Sequence, residues 1–213
     1  MAERKLTTLE YALLGLVGMS PLTGYDVHKV FATTPLAHFS SSPGAIYPAL
    51  RRLAQIGLLE ARLDTSKEAR PRRVFSLTAA GERALDAWLH QPVTREELIR
   101  GGGAPVLRFS LAGGRLSREE ILAYLETYQK AVAAYLKELY GYTELTTGPG
   151  NLHGHLSLHL GIRGSESELE WTRWAAAEIK RAGRVSRKPS PSRSKRKDIQ
   201  GGPECHKIRS ETL

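Results

Sequence analysis

Residues 41–59 read SSPGAIYPALRRLAQIGLL, and this stretch predicts the central helix of the N-terminal domain. A serine followed by proline at its start is a helix-start signal, because serine caps free N–H groups and proline fits the first helical position. A buried face of the helix is predicted by three apolar residues at spacings of four and three: Ile46, Leu50 and Leu53. The glycine at position 57 is expected to end this helix.

The opposite face of this helix carries small residues and a basic one. At about 100° per residue, the positions turned away from the apolar face are Gly44, Pro48, Arg51 and Gln55. Small side chains allow close approach to a DNA groove, and arginines pair with phosphates or guanine edges. Because Pro48 removes one backbone hydrogen bond, we expect the first turn to be irregular or kinked.

The elements around this helix predict a winged helix-turn-helix. Two shorter helices precede it, and the first opens with the capping-box pair Thr7 and Glu10. Two alternating strands at 59–63 and 73–77 follow, joined by a polar loop of about eight residues, and a further helix begins after Thr78. We therefore assign residues 1–91 to a winged helix-turn-helix DNA-binding domain. Its predicted DNA contacts are Ser41, Ser42, Gly44, Tyr47, Pro48, Arg51, Arg52, Lys67, Arg70, Arg72 and Arg73.

Residues 92–183 have helical patterns almost throughout and predict a mainly α fold with a coiled-coil-like dimerisation domain. Six apolar residues alternate at spacings of four and three and form the predicted dimerisation seam: Ile121, Leu125, Tyr128, Val132, Tyr135 and Leu139. Such a seam needs a partner helix. The partner is either a second copy of the chain or the helix predicted from Leu152 onward in the same chain.

The chain has 213 residues and a formal charge of +9, which favours a polyanionic partner. Most of this charge lies in residues 184–213, where nine basic and three acidic residues occur among serines and prolines. We interpret this segment as a disordered basic tail, since it has too few apolar residues to form a core. No apolar run is long enough to cross a membrane, and the only cysteine is Cys205, so we expect a cytoplasmic protein without disulfides.

Other functions find little support in the residues. His155 and His159 have the i, i+4 spacing of metal ligands, but no glutamate or cysteine completes a site, so we predict no metal and no cofactor. No nucleophile or phosphate-binding motif is present, and we predict no enzyme activity. Trp88 and Tyr25 are explained most simply as packing residues.

Six motifs in the first 90 residues closely resemble the PadR-like family of bacterial transcriptional regulators. They read LEYALLGL at 9–16, PLTGYD at 21–26, SPGAIYPALRRL at 42–53, GLLE at 57–60, RRVFSLTAAG at 72–81 and WL at 88–89. Their number and order make the resemblance specific. Residues 93–183 resemble the helical C-terminal domain of that family more loosely.

The resemblance implies a homodimeric regulator that places its third helix in the major groove and its hairpin on the DNA backbone. It also implies that an apolar or aromatic effector can bind near the dimer interface, where Trp88 could stack on it. We therefore predict a sequence-specific transcriptional regulator, more specifically a repressor that acts on a palindromic operator and is relieved by an effector. The alternative is a winged helix that binds a protein partner and uses the basic tail as an anchor.

Overall fold

The structure is a computed structural model that describes residues 5–40, 42–64, 72–101, 103–148 and 150–185. It is mainly α-helical with one small antiparallel sheet, as the sequence predicts. The predicted basic tail lies outside the described residues, apart from the end of the last helix. No helix in the part of the chain that the structure describes is both long and apolar enough to span a membrane.

The described residues of the N-terminal half form four α-helices and three strands. In chain order these are α1 (Thr8–Met19), β1 (Leu22–Thr23), α2 (Gly24–Thr33), a 3₁₀ turn (Pro35–His38), α3 (Pro43–Gln55), β2 (Leu59–Asp64), β3 (Arg72–Leu77) and α4 (Ala79–Leu89). The predicted capping pair at the start of α1 is present, since the Thr7 side chain accepts from the Glu10 amide and the Glu10 side chain accepts from the Thr7 amide. Thr78 likewise caps α4.

The sheet has the order β1-β3-β2, and both pairings are antiparallel. The hairpin of β2 and β3 was predicted, whereas the two-residue strand β1 was not, because two residues are too few to show an alternating pattern. In β2 only Leu59 is buried, and Leu63 near its other end is 67% exposed. The hairpin therefore extends beyond the core: β2 forms, but Ala61 and Leu63 are exposed and not buried as their alternation suggested.

After α4, the residues that the structure describes form helices and no strand. These are α5 (Arg95–Ile99), α6 (Gly103–Ala112), α7 (Arg118–Gly141), α8 (Thr143–Thr146) and α9 (Leu152–Val185). Helix α9 is continuous through Gly161 and Gly164, although glycine has a low helix propensity. Leu107 and Leu111 of α6 join the core of the N-terminal half, so that core extends past the predicted division at residue 91.

The predicted dimerisation seam on α7 is covered within the chain. Leu125, Tyr128 and Val132 are fully buried, and the other three seam residues, Ile121, Tyr135 and Leu139, are half-buried. Tyr128 and Val132 share a cluster with Leu169 and Trp171 of α9. Helix α9 of the same chain therefore packs on this seam, and the role of the seam in dimerisation stays a prediction.

Candidate nucleic-acid interface

The predicted reader residues come together at an open cleft of about 870 Å³ between α2, α3 and the sheet. The cleft is lined by two tyrosines and three arginines, together with small or apolar neighbours. These five residues are Tyr25, Tyr47, Arg51, Arg72 and Arg73, and we call them the cleft set. They come from three separate elements, which only the tertiary fold brings together.

Helix α3 is oriented as its pattern predicts. Ile46, Leu50 and Leu53 are completely buried, while Gly44 and Arg51 are exposed on the other side. The helix continues through Pro48, which is exposed, so the amide that proline lacks is on the solvent side. Ser42 is the exposed N-cap residue, but its side chain makes no capping hydrogen bond and its hydroxyl is not used within the helix.

The position of Tyr47 depends on a glycine. A Cβ atom at Gly24 would lie 2.7 Å from Cε1 of Tyr47, so only glycine allows the ring to pack on the start of α2. Tyr47 is consequently half-buried and borders the cleft. The same side chain therefore packs on α2 and lines the cleft.

Tyr25 lines the cleft, although we expected it to be a packing residue. Its side chain is 65% exposed, while Val27 and Phe31 of the same helix are completely buried. A helix wheel predicts this exposure, because Tyr25 lies two residues before Val27. It is therefore about 160° around the helix from Val27, away from the buried face. The position of Tyr25 on the helix wheel, rather than its residue type, indicates that it is exposed.

Arg52 has a different position from its neighbour Arg51. Its guanidinium donates to Glu10 of α1 and forms an ion pair with that carboxylate, whose side chain is only 4% exposed. Burial by itself raises the pKa of Glu10, but hydrogen bonds from Thr7 and Arg52 outweigh it and hold the pKa below its usual value. Arg52 thus connects α3 to α1. Its guanidinium, which was predicted to contact DNA, is paired with Glu10 within the chain.

The wing contributes Arg72 and Arg73, both exposed at the start of β3. Their Cα partners across the hairpin are Asp64 and Leu63, at the end of the sheet that extends from the core. The other predicted wing residues, Lys67 and Arg70, lie outside the described residues, as does Ser41 before α3. Among the described residues, the wing therefore contributes these two arginines to the lining of the cleft.

Trp88 belongs to the core and also borders a second cleft. It is 4% exposed and stacks on Tyr11, with ring centroids 4.5 Å apart and an angle of 8° between the planes. The guanidinium of Arg108 lies 4.9 Å from the centroid of the Trp88 ring. Tyr11, Trp88, Thr94 and Glu97 are among the residues that line this cleft of about 490 Å³.

Arg108 is buried to 99% and has an incomplete set of partners. One terminal nitrogen donates to Oε1 of Glu97 at 2.7 Å, but Nε and Nη1 have no hydrogen-bond partner among the described residues. The same guanidinium faces the ring of Tyr124, and burial raises the pKa of that phenol to about 12. A buried cation with unused donors is costly unless another acceptor is supplied.

Comparison with known proteins identifies two family segments. Residues 13–87 match the transcriptional regulator PadR-like family, and residues 111–180 match the family described as virulence activator alpha C-term. The negative transcriptional regulator PadR of Bacillus subtilis (strain 168) is 31% identical over 90 residues, which cover 41% of this chain and 50% of that protein. The match therefore spans about half the length of this curated relative.

Solved structures of the same family are also similar to the chain. Bacillus subtilis PadR in complex with operator DNA is 24% identical, with 83% of this chain and 99% of that chain covered and a TM-score of 0.38. The same protein in complex with p-coumaric acid is 24% identical over 82% of this chain and 99% of its own, with a TM-score of 0.36. A PadR-like transcriptional regulator from Bacillus cereus is 20% identical, with coverages of 84% and 99% and a TM-score of 0.36.

The order of the winged-helix elements, the matched segment at 13–87 and the curated relative agree with one another. The chain therefore contains a domain of the transcriptional regulator PadR-like family.

Proposed function

We propose that this regulator binds double-stranded DNA in a sequence-specific manner through the cleft set. The observation that carries the proposal is the convergence of Arg51, Arg72 and Arg73 on one open cleft next to Tyr25 and Tyr47. Arg51 projects from the outer face of α3 and is proposed to read base edges in the major groove. Arg72 and Arg73 on the wing are proposed to contact phosphates, which position the protein without reading sequence.

We further propose that the chain represses transcription as a homodimer on a palindromic operator. Two α3 helices related by a two-fold axis would read half-sites about one helical turn apart and exclude polymerase from the site. The curated relative is a negative regulator, which supports repression. Selection of bound sites from random duplex DNA tests both points, since a dimer should return an inverted repeat and a monomer a single half-site.

An acidic aromatic effector is proposed to relieve repression at the cleft beside Trp88. Tyr11 and Trp88 line this cleft, and Arg108, which lies over the Trp88 ring but does not line the cleft, has two donors that lack acceptors among the described residues. A carboxylate could complete that set, because guanidinium pairs strongly with carboxylate. We expect a phenolic acid such as p-coumaric acid to weaken operator binding, and Arg108→Met to abolish this response; an undiminished response would place the effector elsewhere.

The alternative function is a winged-helix module that binds a protein and is anchored by the basic tail. Salt dependence separates the two functions, because a protein that neutralises several phosphates loses affinity steeply as salt rises. A protein interface need not show this dependence. Failure to select any DNA consensus, together with weak salt dependence, would favour the protein-binding module.

The wing gives a quantitative prediction. Because Arg73 is proposed to contact a phosphate, Arg73→Ala should weaken operator and unrelated DNA by similar factors. The slope of log K against log salt should become less steep by about one. Fluorescence anisotropy at several salt concentrations measures both quantities, with Arg83→Ala, an exposed arginine of α4, as the control. A loss confined to the operator would mean that the wing reads bases.

A further inference from the structure

Three histidines lie near the start of α9, and the rings of two of them are in contact. His155 and His159 are four residues apart, and their ring centroids are 4.5 Å apart with an angle of 63° between the planes. We call these two residues the histidine pair. Both side chains are half-buried, so each packs on the chain and also reaches solvent. His153 is exposed and lies roughly 160° around the helix from His155, so it does not belong to the pair.

A hydrogen bond to α8 fixes the tautomer of His155. Its Nδ1 lies 3.1 Å from Oγ1 of Thr146, and the same hydroxyl donates to the carbonyl oxygen of Thr143 at 2.9 Å. A threonine hydroxyl has a single hydrogen, and the carbonyl of Thr143 can only accept it. Oγ1 of Thr146 therefore accepts from the ring, so Nδ1 of His155 carries the hydrogen and Nε2 keeps its lone pair.

This hydrogen bonding is typical of histidines that bind metals. A ligating imidazole almost always donates its other N–H to an oxygen atom, which fixes the tautomer and the orientation of the ring. His159 forms no hydrogen bond with any described residue, so neither of its ring nitrogens is used by the fold. A metal about 2.1 Å from one nitrogen of each ring, with the two nitrogens at neighbouring positions, would hold the centroids roughly 4.5–5 Å apart. The observed separation of 4.5 Å agrees with this geometry.

The donor atoms define the class of metal. Two imidazoles suit Zn²⁺, Ni²⁺ and Cu²⁺, whereas Mg²⁺ and Ca²⁺ require oxygen ligands. Among the described residues, no group of three or more histidine, cysteine or carboxylate side chains could hold a metal, so no such third ligand joins the pair. Water or a small external donor therefore fills the other coordination positions. Half the ligands of a structural zinc site imply about half its binding free energy, or a dissociation constant on the order of 10 µM.

We propose that His155 and His159 form a binding site for a divalent transition-metal ion, with Thr146 as the residue that orients His155. The expectation of no metal rested on the sequence, in which neither a glutamate nor a cysteine completes the spacing of the two histidines. That spacing does not show the hydrogen bond to Thr146, because the threonine belongs to a different helix. The site depends neither on DNA binding nor on the effector cleft.

Metal titration tests the site in the full, untagged chain. A C205S/H206A background removes a neighbouring cysteine and histidine that would compete for the metal. In calorimetric titrations, this background should bind one equivalent of Ni²⁺ with a dissociation constant on the order of 10 µM, bind Cu²⁺ more tightly and not bind Mg²⁺. His155→Ala and His159→Ala should each weaken Ni²⁺ binding at least tenfold. His153→Ala, on the same helix but outside the pair, is the matched control and should bind as the background does.

Variants of Thr146 test its orienting role. Thr146→Val removes the acceptor for Nδ1–H of His155 and should weaken Ni²⁺ binding by about 10- to 100-fold, as the loss of such a partner does at other metal sites. Thr146→Ser keeps the hydroxyl and should bind within about threefold of the background. The electron paramagnetic resonance spectrum of Cu²⁺ should show coupling to two imidazole nitrogens in the background and to one in His159→Ala. Circular dichroism verifies that each variant keeps its helix content.

The outcomes separate this inference from the proposed function. A background chain that binds none of the three transition metals overturns the site, and so does a loss of affinity in His153→Ala as large as that in His159→Ala. Full affinity in Thr146→Val, with the helix content intact, overturns the role of Thr146. A chain that selects no DNA consensus but binds Ni²⁺ through the histidine pair contradicts only the DNA-binding proposal.

Discussion

Val132→Asp should unfold the helical C-terminal half instead of producing a folded monomer. Val132 is completely buried in the cluster formed by α5, α7 and α9, and its neighbours Tyr128 and Leu98 are also buried. An aspartate there has no cationic partner in the cluster, so its charge would be desolvated without compensation. We expect the free energy of unfolding to fall by about 4–5 kcal/mol, at the upper end of single substitutions.

Chemical denaturation followed by circular dichroism measures this loss. Ala133→Asp, next along α7 but exposed, is the matched control and should lower stability by no more than about 1 kcal/mol, the cost of aspartate's lower helix propensity. The destabilisation should appear at every protein concentration, because it arises within one chain. A stable, fully helical monomer of Val132→Asp would show that this face of α7 meets a second copy instead of α9.

Arg51→Ala and Arg52→Ala should separate DNA binding from stability at two adjacent positions. Arg51 is exposed at the cleft, whereas Arg52 pairs with the buried carboxylate of Glu10. We expect Arg51→Ala to weaken binding to a selected operator by about 1–3 kcal/mol, roughly 5- to 150-fold, if it contacts a base edge. Its unfolding midpoint should match that of the wild type.

Arg52→Ala should show the opposite result. It leaves Glu10 without its cationic partner, so we expect a loss of about 1–3 kcal/mol in stability. Below its unfolding midpoint, the variant should bind the operator within about twofold of the wild type. Anisotropy titrations and thermal melts on the same preparations measure both effects. If Arg52→Ala weakens the operator as much as Arg51→Ala does, both arginines face the DNA and the pairing with Glu10 is not maintained in the complex.

Local signals in the sequence predicted most of the elements correctly. The capping pair of Thr7 with Glu10 acts within four residues, and it is present at the start of α1. The period of Ile46, Leu50 and Leu53 likewise depends only on helix geometry, and the face that it predicts is buried. The strand β1 escaped prediction because its two residues are ordered by pairing with β3, a contact more than 50 positions away.

The outer face of α3 could be predicted from the sequence, but its neighbours in the fold could not. A helix wheel identifies the outer face of α3, so Arg51 could be assigned from its spacing alone. The wheel does not show what lies next to that face, and Arg52, which only flanks it, meets Glu10 because α1 crosses α3 at that point. Tyr25 was assigned by residue type, and tyrosine has both an apolar ring and a polar hydroxyl, so its type does not decide burial.

The helical periods, the caps, the hairpin and the family motifs can be recognised without a structure, because each depends on residues close together along the chain. Which helix faces are buried and which stay exposed depends on how the helices pack, and this is visible only in the folded structure. The apolar seam of α7 has the same heptad spacing whether its partner is another chain or α9, since a spacing specifies a face and not what covers it. Packing α9 onto that seam buried Tyr128 and Val132 and left Leu156, Leu160 and Trp174 exposed on the far side.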